Sequence, residues 1–252
     1  MHIRFDNKIV VVTGAGHGFG RCIAQTFAHL GAVVHGCDLS AEELKETASH
    51  DNIYTRVVDL TDREASAAWI KDIEHRSSGR AIDILINNAG GVAGQTNRPL
   101  EEVPYEDWDK IFAINVGAAM VMSRAVVPGM KRHGSGRIVN ISSGAGLQAS
   151  LTGIQAYCSS KHAVIGLTRQ LAHEFGPFGI TVNSVAPGFI RTNESTEKQW
   201  ESYGPDGQKA LVERIALKRL GSAQDIANGC VFFASELASF VNGQVIQVDG
   251  GR

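Results

Sequence analysis

Several things are scarce in this sequence. It has six prolines and four cysteines in 252 residues, 7% aromatics, and a net charge of only -2. Proline this sparse, with no Gly-X-Y period, excludes collagen-like and proline-rich linker architectures. Balanced charge leaves no basic footprint for nucleic acid or an anionic membrane. The charged fraction, 20%, is near the globular average and argues against disorder. Cys22, Cys37, Cys158 and Cys230 are too far apart for a C-x-x-C clip, and no histidine cluster completes a zinc site, so no metal is expected. The segment MHIRFDNKIVVVTG is charged as far as Lys8, and its apolar run is too short for a signal peptide. No apolar stretch reaches the 18 residues of a membrane span. A protein of the cytoplasm, without membrane or nucleic-acid partners, is the expectation.

What is abundant is glycine: 28 residues, about 11% against a usual value of about 7%. No repeat accounts for it, so the reasons must be local. Strand-like and helix-like segments alternate along the chain. Strands are predicted at 8–13, 32–37, 53–58, 82–86, 137–141, 180–185 and 244–248. Helices are predicted at 21–30, from about 41 with Ser40 as cap, and at 62–76, 105–131, 155–175 and 224–235. A polar, aromatic-bearing stretch runs over 191–209. Strands that are apolar throughout suit a parallel sheet covered on both faces, and strict alternation implies βαβ crossovers. With no break in composition, 1–252 reads as one Rossmann-like, doubly wound α/β domain with a seven-stranded parallel sheet.

The run Thr13-Gly14-Ala15-Gly16-His17-Gly18-Phe19-Gly20 falls between the first strand and the first helix. Glycine there permits a tight turn and close backbone approach to a pyrophosphate at a helix N-terminus. The spacing lacks the Gly-Lys-Ser/Thr of a P-loop. Asp38, about 20 residues on, ends the second strand beside Leu39. A carboxylate there can accept hydrogen bonds from the adenosine ribose and would repel a 2′-phosphate, which favours NAD over NADP. Asp59 and Leu60 end the third strand and can reach the adenine edge. Asn87-Asn88-Ala89-Gly90 ends the fourth strand, where the asparagines can either contact a cofactor or tie strand ends together. Tyr157 and Lys161 share one helix face at i and i+4. Ser142-Ser143 ends the strand before them, and Asn115 sits in the interior of the 105–131 helix, a poor place for asparagine.

Taken together, Thr13-Gly14-x-x-x-Gly18-x-Gly20, Asn87-Asn88-Ala89-Gly90, Asn115, Ser143, Tyr157-x-x-x-Lys161 and Pro187-Gly188-x-x-x-Thr192 resemble the short-chain dehydrogenase/reductase family. The match extends nearly to the end, through Asp249-Gly250-Gly251. The resemblance implies that Tyr157 is the acid–base residue and that Lys161 lowers its pKa and holds the nicotinamide ribose. It implies that Ser143 binds the substrate oxygen, and that Asn115 holds a water linking Lys161 to solvent. A free tyrosine, with a pKa of about 10, needs such a cationic neighbour. It also implies that Pro187, Gly188, Ile190 and Thr192 bind the nicotinamide end. Ser143 and Tyr157 are 14 positions apart, one more than the family's usual spacing, so Ser142 stands as the alternative to the preferred Ser143.

The substrate is expected among the loops after Gly90, Ser143 and Gly188, with 188–210 as a substrate loop that orders on binding. Gln148, Gln155, Arg191 and Asn193 are its candidate contacts, with Gly91, Val92, Trp200 and Tyr203 as further wall residues. Arg191 or Arg98 can pair a substrate carboxylate. A small polar secondary alcohol or its ketone, of polyol, sugar or sugar-acid type, fits this wall. The alternatives are a 3-oxoacyl-(acyl-carrier-protein) reductase and a non-catalytic dinucleotide sensor. A homotetramer is implied by family habit, and apolar positions on the 155–175 helix (Ala156, Ala163, Val164, Leu167, Leu171, Ala172) exceed what one core face needs.

Overall fold

The computed structural model describes residues 3–252. Seven strands form one sheet: β1 (Ile9–Thr13), β2 (Val33–Asp38), β3 (Ile53–Val57), β4 (Ile84–Asn87), β5 (Gly136–Ile141), β6 (Ile180–Pro187) and β7 (Val245–Val248). Every pairing is parallel, in the order β3-β2-β1-β4-β5-β6-β7. The order reverses between β1 and β4, and a ligand crevice opens at such a switch point, outside the carboxyl ends of the strands.

The period-2 geometry of the strands divides the interior into two cores. Val10 and Val12 of β1 and Ile84 and Ile86 of β4 face one side. There they meet Ile23 and Phe27 of α1 (Gly18–His29) and Ile226 and Phe233 of α9 (Ala223–Ala234). Ile9 and Val11 face the other side with Leu85. They pack against Trp69, Ile70 and Ile73 of α3 (Arg63–Arg76) and Met122, Val126 and Met130 of α5 (Ala118–His133). The edge strands depart from the all-apolar pattern. Tyr54 and Val57 of β3 are exposed, because an edge strand is covered less completely.

The predicted 105–131 helix is a composite. It comprises α4 (Tyr105–Phe112), a π-helical turn at Ala113–Gly117, and α5. By length and composition Tyr105–His133 could cross a membrane, since it holds an 18-residue window of mean hydropathy 1.6, which corrects the expectation that no stretch is so apolar. Half of that apolar window is buried inside the protein, and Ala118, Met122, Val126 and Met130 belong to the second core. The polar stretch 191–209, for which no helix is predicted, forms most of two helices, α7 (Glu194–Ser202) and α8 (Gly204–Arg214). A capping box of Asn193 and Thr196 starts α7. On α6 (Gln155–Phe175), Ala156, Val164 and Ala172 lie in the interior, so its spare apolar surface is smaller than expected. The remaining helix, α2 (Ala41–Thr47), is capped by Ser40 as predicted.

Candidate active site

A cleft of about 790 Å³ runs along the carboxyl ends of the strands, from Asp38 and Asp59 past Gly14 and Phe19 to Ser143, Tyr157 and Lys161. The β1–α1 loop forms its middle. Gly14 has φ +63°, and a Cβ there would come within 2.9 Å of Ala89 Cα. A Cβ on Gly20 would collide with the Gly14 carbonyl oxygen, so the first turn of α1 can press on the loop only as glycine. His17 at the N-cap provides no side-chain cap, and the first turn of α1 holds no acidic residue. Helix N-terminal amides left in this way face the cleft and suit a pyrophosphate. Gly16 and Gly20 themselves stand behind the wall. Both are packed tightly, Gly16 against Asp38 and Gly20 against Gly14.

Asp38 closes the outer end. Its Oδ2 accepts the Gly16 N–H at 2.9 Å, and its Oδ1 accepts the Leu39 N–H at 2.7 Å and the Ser40 N–H at 3.3 Å. The nearby guanidinium of Arg21 is turned away, bound to Glu46 and to the Gly16 and Glu43 carbonyls. Leu39, Asp59 and Leu60 line the same end, and Asp59 also fixes Thr61 through its N–H and hydroxyl.

The two asparagines after β4 take different parts. The Asn88 amide donates to the Thr13 and Gly14 carbonyls, both at 3.0 Å, and ties β4 to β1 at the switch point. Asn87 points away from the cleft. It donates to Asn140 Oδ1 (2.8 Å) and Ser123 Oγ (3.2 Å) in a buried network that reaches Thr168 on α6. Asn87 thus belongs to the buried network, while Ala89 and Gly90 lie on the wall.

At the inner end α6 presents Tyr157 and Lys161. Burial pushes the Tyr157 phenol up, and the Ser143 hydroxyl beside it acts in the opposite direction. Lys161 is 5% exposed, and burial brings its ammonium down to about 8. Its Nζ donates to the Ile141 carbonyl at 3.0 Å and lies 5.7 Å from the Tyr157 ring centroid. Ser142 donates to the Lys161 carbonyl at 3.0 Å and is 2% exposed, so it fastens β5 to α6. Ser143 is the serine that meets Tyr157. Asn115, in the π turn, donates from Nδ2 to the Gly91 and Ile111 carbonyls, both at 2.9 Å, and accepts the Gly91 N–H at 3.0 Å. Both of its Nδ2 hydrogens are engaged within the protein.

A family profile described as enoyl-(acyl carrier protein) reductase matches residues 14–252. The chain belongs to the short-chain dehydrogenase/reductase family. It is 38% identical over 251 residues to 2-(R)-hydroxypropyl-CoM dehydrogenase of Xanthobacter autotrophicus, covering 97% of this chain and 98% of that protein. It is 35% identical to a 3-oxoacyl-(acyl-carrier-protein) reductase of Rickettsia felis, covering 99% and 98%. A crystal structure of a putative NAD(P)-dependent gluconate 5-dehydrogenase from Beutenbergia cavernae, with bound NADP, superposes with TM-score 0.87 at 37% identity, covering 100% and 98%. This short-chain dehydrogenase/reductase is therefore an oxidoreductase that uses a nicotinamide dinucleotide, and the glycine cradle and open helix N-terminus fit that group.

The substrate end of this short-chain dehydrogenase/reductase differs from expectation. Gln148, Asn193, Gly91 and Val92 line the cleft, as do Pro187, Gly188, Ile190 and Thr192. Gln155 does not; its amide donates to the Arg98 carbonyl at 2.9 Å. Arg191 is also outside, paired to Glu197 and lying 5.3 Å from the Trp200 ring. Arg98 pairs with Asp107. Trp200 and Tyr203 pack on Phe189 and so belong to the body of the α7 lid. Thr152, Gln199 and Arg252 line the cleft and went unnoticed in the sequence. Their signal is weak, because chain folding rather than local spacing brings them there.

Proposed function

We propose that this protein is an NAD-dependent dehydrogenase that interconverts a small polar secondary alcohol, of polyol, sugar or sugar-acid type, with its ketone. The observation that carries the reading is the meeting of Ser143, Tyr157 and a buried Lys161 at the inner end of a glycine-walled cleft. A nicotinamide ring, when bound, supplies the hydride acceptor or donor. The ring and its ribose would lie against Pro187, Gly188, Ile190, Thr192 and Lys161.

As the phenolate, Tyr157 takes the hydroxyl proton in oxidation and becomes the phenol; as the phenol it gives that proton to the ketone oxygen in reduction. Burial alone opposes its ionisation, so it depends on charge nearby. A protonated Lys161 one helical turn away supplies that charge and favours the phenolate. Ser143 donates to the substrate oxygen and stabilises the charge that develops there. Asn115 acts as a positioning residue, fixing Gly91 and the bulged turn.

Asp38, with the Arg21 guanidinium turned away from it, supports NAD over NADP. The amide and hydroxyl side chains of Gln148, Thr152, Asn193 and Gln199 on the wall can hydrogen-bond a hydroxylated substrate. Tyr157→Phe tests the chemistry. We expect NADH formation from a polyol and sugar-acid panel to fall at least 100-fold, with NAD binding retained. Undiminished turnover in that variant would sink the reading.

A further inference from the structure

Two cationic side chains line the cleft among the described residues, Lys161 at the catalytic centre and Arg252, with the His17 imidazole in the phosphate loop. Lys161 is already committed to the Ile141 carbonyl. Arg252 is committed to nothing. It makes no ion pair or hydrogen bond with any described residue, and its Nε is buried without a partner. A buried guanidinium N–H left unsatisfied is costly, and such a group marks a place where a ligand supplies the acceptor.

The fold brings this side chain to the nicotinamide end. Register pairs Pro187 of β6 with Val248 of β7. Asp249 then packs on Gly188, where a glycine Cβ would come 2.8 Å from the Asp249 Cβ. The Gly250 and Gly251 carbonyls accept the Leu217 and Ala216 N–H groups, at 3.1 and 3.3 Å, and anchor the backbone leading to Arg252. Asp249, the nearest acidic side chain in sequence, is turned to Gly251 N–H and the Gln247 amide. The arginine that the sequence suggested for this task, Arg191, is neutralised by Glu197 outside the cleft.

We propose that Arg252 is a specificity-determining residue, which binds an anionic group (carboxylate, sulfonate or phosphate) on the substrate. The reacting alcohol would then be a hydroxy acid or a comparable anion rather than a neutral polyol. This rests on the dehydrogenase reading given above and narrows it. A planar guanidinium binds an oxyanion through two parallel N–H donors, which lysine reproduces only as a point charge.

Matched pairs that differ only in the charged group test it: gluconate against glucitol, and lactate against 1,2-propanediol. Each is assayed with NAD, and each is also used as a ligand in thermal melts of the NADH-loaded protein. We expect the anionic member of at least one pair to be preferred in kcat/KM or to give the larger melting shift. Arg252→Gln should shrink that preference on the order of 10–100-fold, as expected for a lost charge-assisted pair, and Arg252→Lys should restore part of it. Equal treatment of both members by the unaltered protein would overturn the proposal. So would an Arg252→Gln effect confined to the KM for NAD, or one that weakens both members alike. Should no panel member be oxidised while the melts still show an Arg252-dependent preference for the anion, the polyol and sugar-acid chemistry fails and the anion site stands.

Discussion

Lys161 shows how one residue can serve chemistry against stability. Its ammonium is buried beside few polar partners, and its pKa falls to about 8 from an ordinary value near 10.5. Between those two values the unfolded chain holds the proton and the folded chain does not. Stability therefore rises with pH through that window, and the penalty is fully present at neutral pH. Lys161→Met should raise the Tm by several degrees at pH 7, with the gain fading toward pH 10.5, while turnover is lost. Melting curves at the two pH values check this, and a Tm that falls at pH 7 would contradict it. Asp38 is the second residue whose charge decides a property. Asp38→Asn keeps a side-chain oxygen for the surrounding N–H groups but removes the charge that opposes a 2′-phosphate. The ratio of kcat/KM for NAD to that for NADP should fall about tenfold or more, measured with a single alcohol.

Among the elements, the π turn at Ala113–Gly117 matters most. It rotates Asn115 out of the regular helical register, so that one side chain reaches both Ile111 in its own helix and Gly91 in the loop after β4. Asn115→Ala would leave the Gly91 carbonyl and N–H, both close to the catalytic centre, without partners. We expect a loss of about 1–3 kcal/mol in stability and a larger relative loss in kcat than in NAD affinity. Urea unfolding and single-substrate kinetics measure the two. The lid is also an element rather than a loose loop. Its start is set by the Asn193–Thr196 capping box; Trp200 stacks on Phe189, and Tyr203 packs against the same ring at a tilt. The short polar turns of α7 and α8 lack the apolar periodicity that made the other helices legible.

For the whole molecule, the outer surface carries the next expectation. Phe240 is fully exposed, Ile246 is exposed on the edge strand β7, and an open edge normally needs cover. We expect four copies of the 27.0 kDa chain to associate. Light scattering coupled to size exclusion reads this directly, and a mass of one chain would contradict it. Phe240→Asp should shift the assembly toward smaller species.

The sequence by itself determined the sheet, the glycine loop and the residues that meet at the inner end of the cleft. Those are written in short-range patterns: apolar runs of strand length, glycine at a strand–helix junction, and Tyr157 and Lys161 one turn apart on a helix. Strand ends were placed within about two residues, because β-branched runs end where Asp, Asn or Pro begins. The tertiary structure decided which side chains face the cleft. Asn87 and Asn88 are neighbours in the chain, yet successive residues point in different directions, so one joins the buried network and the other ties β4 to β1. Arg191 sits in the right loop but is neutralised by Glu197, six residues on, in a helix the sequence did not reveal. Arg252 reaches the cleft only because β7 pairs with β6, a contact between segments some 60 residues apart that no local pattern encodes.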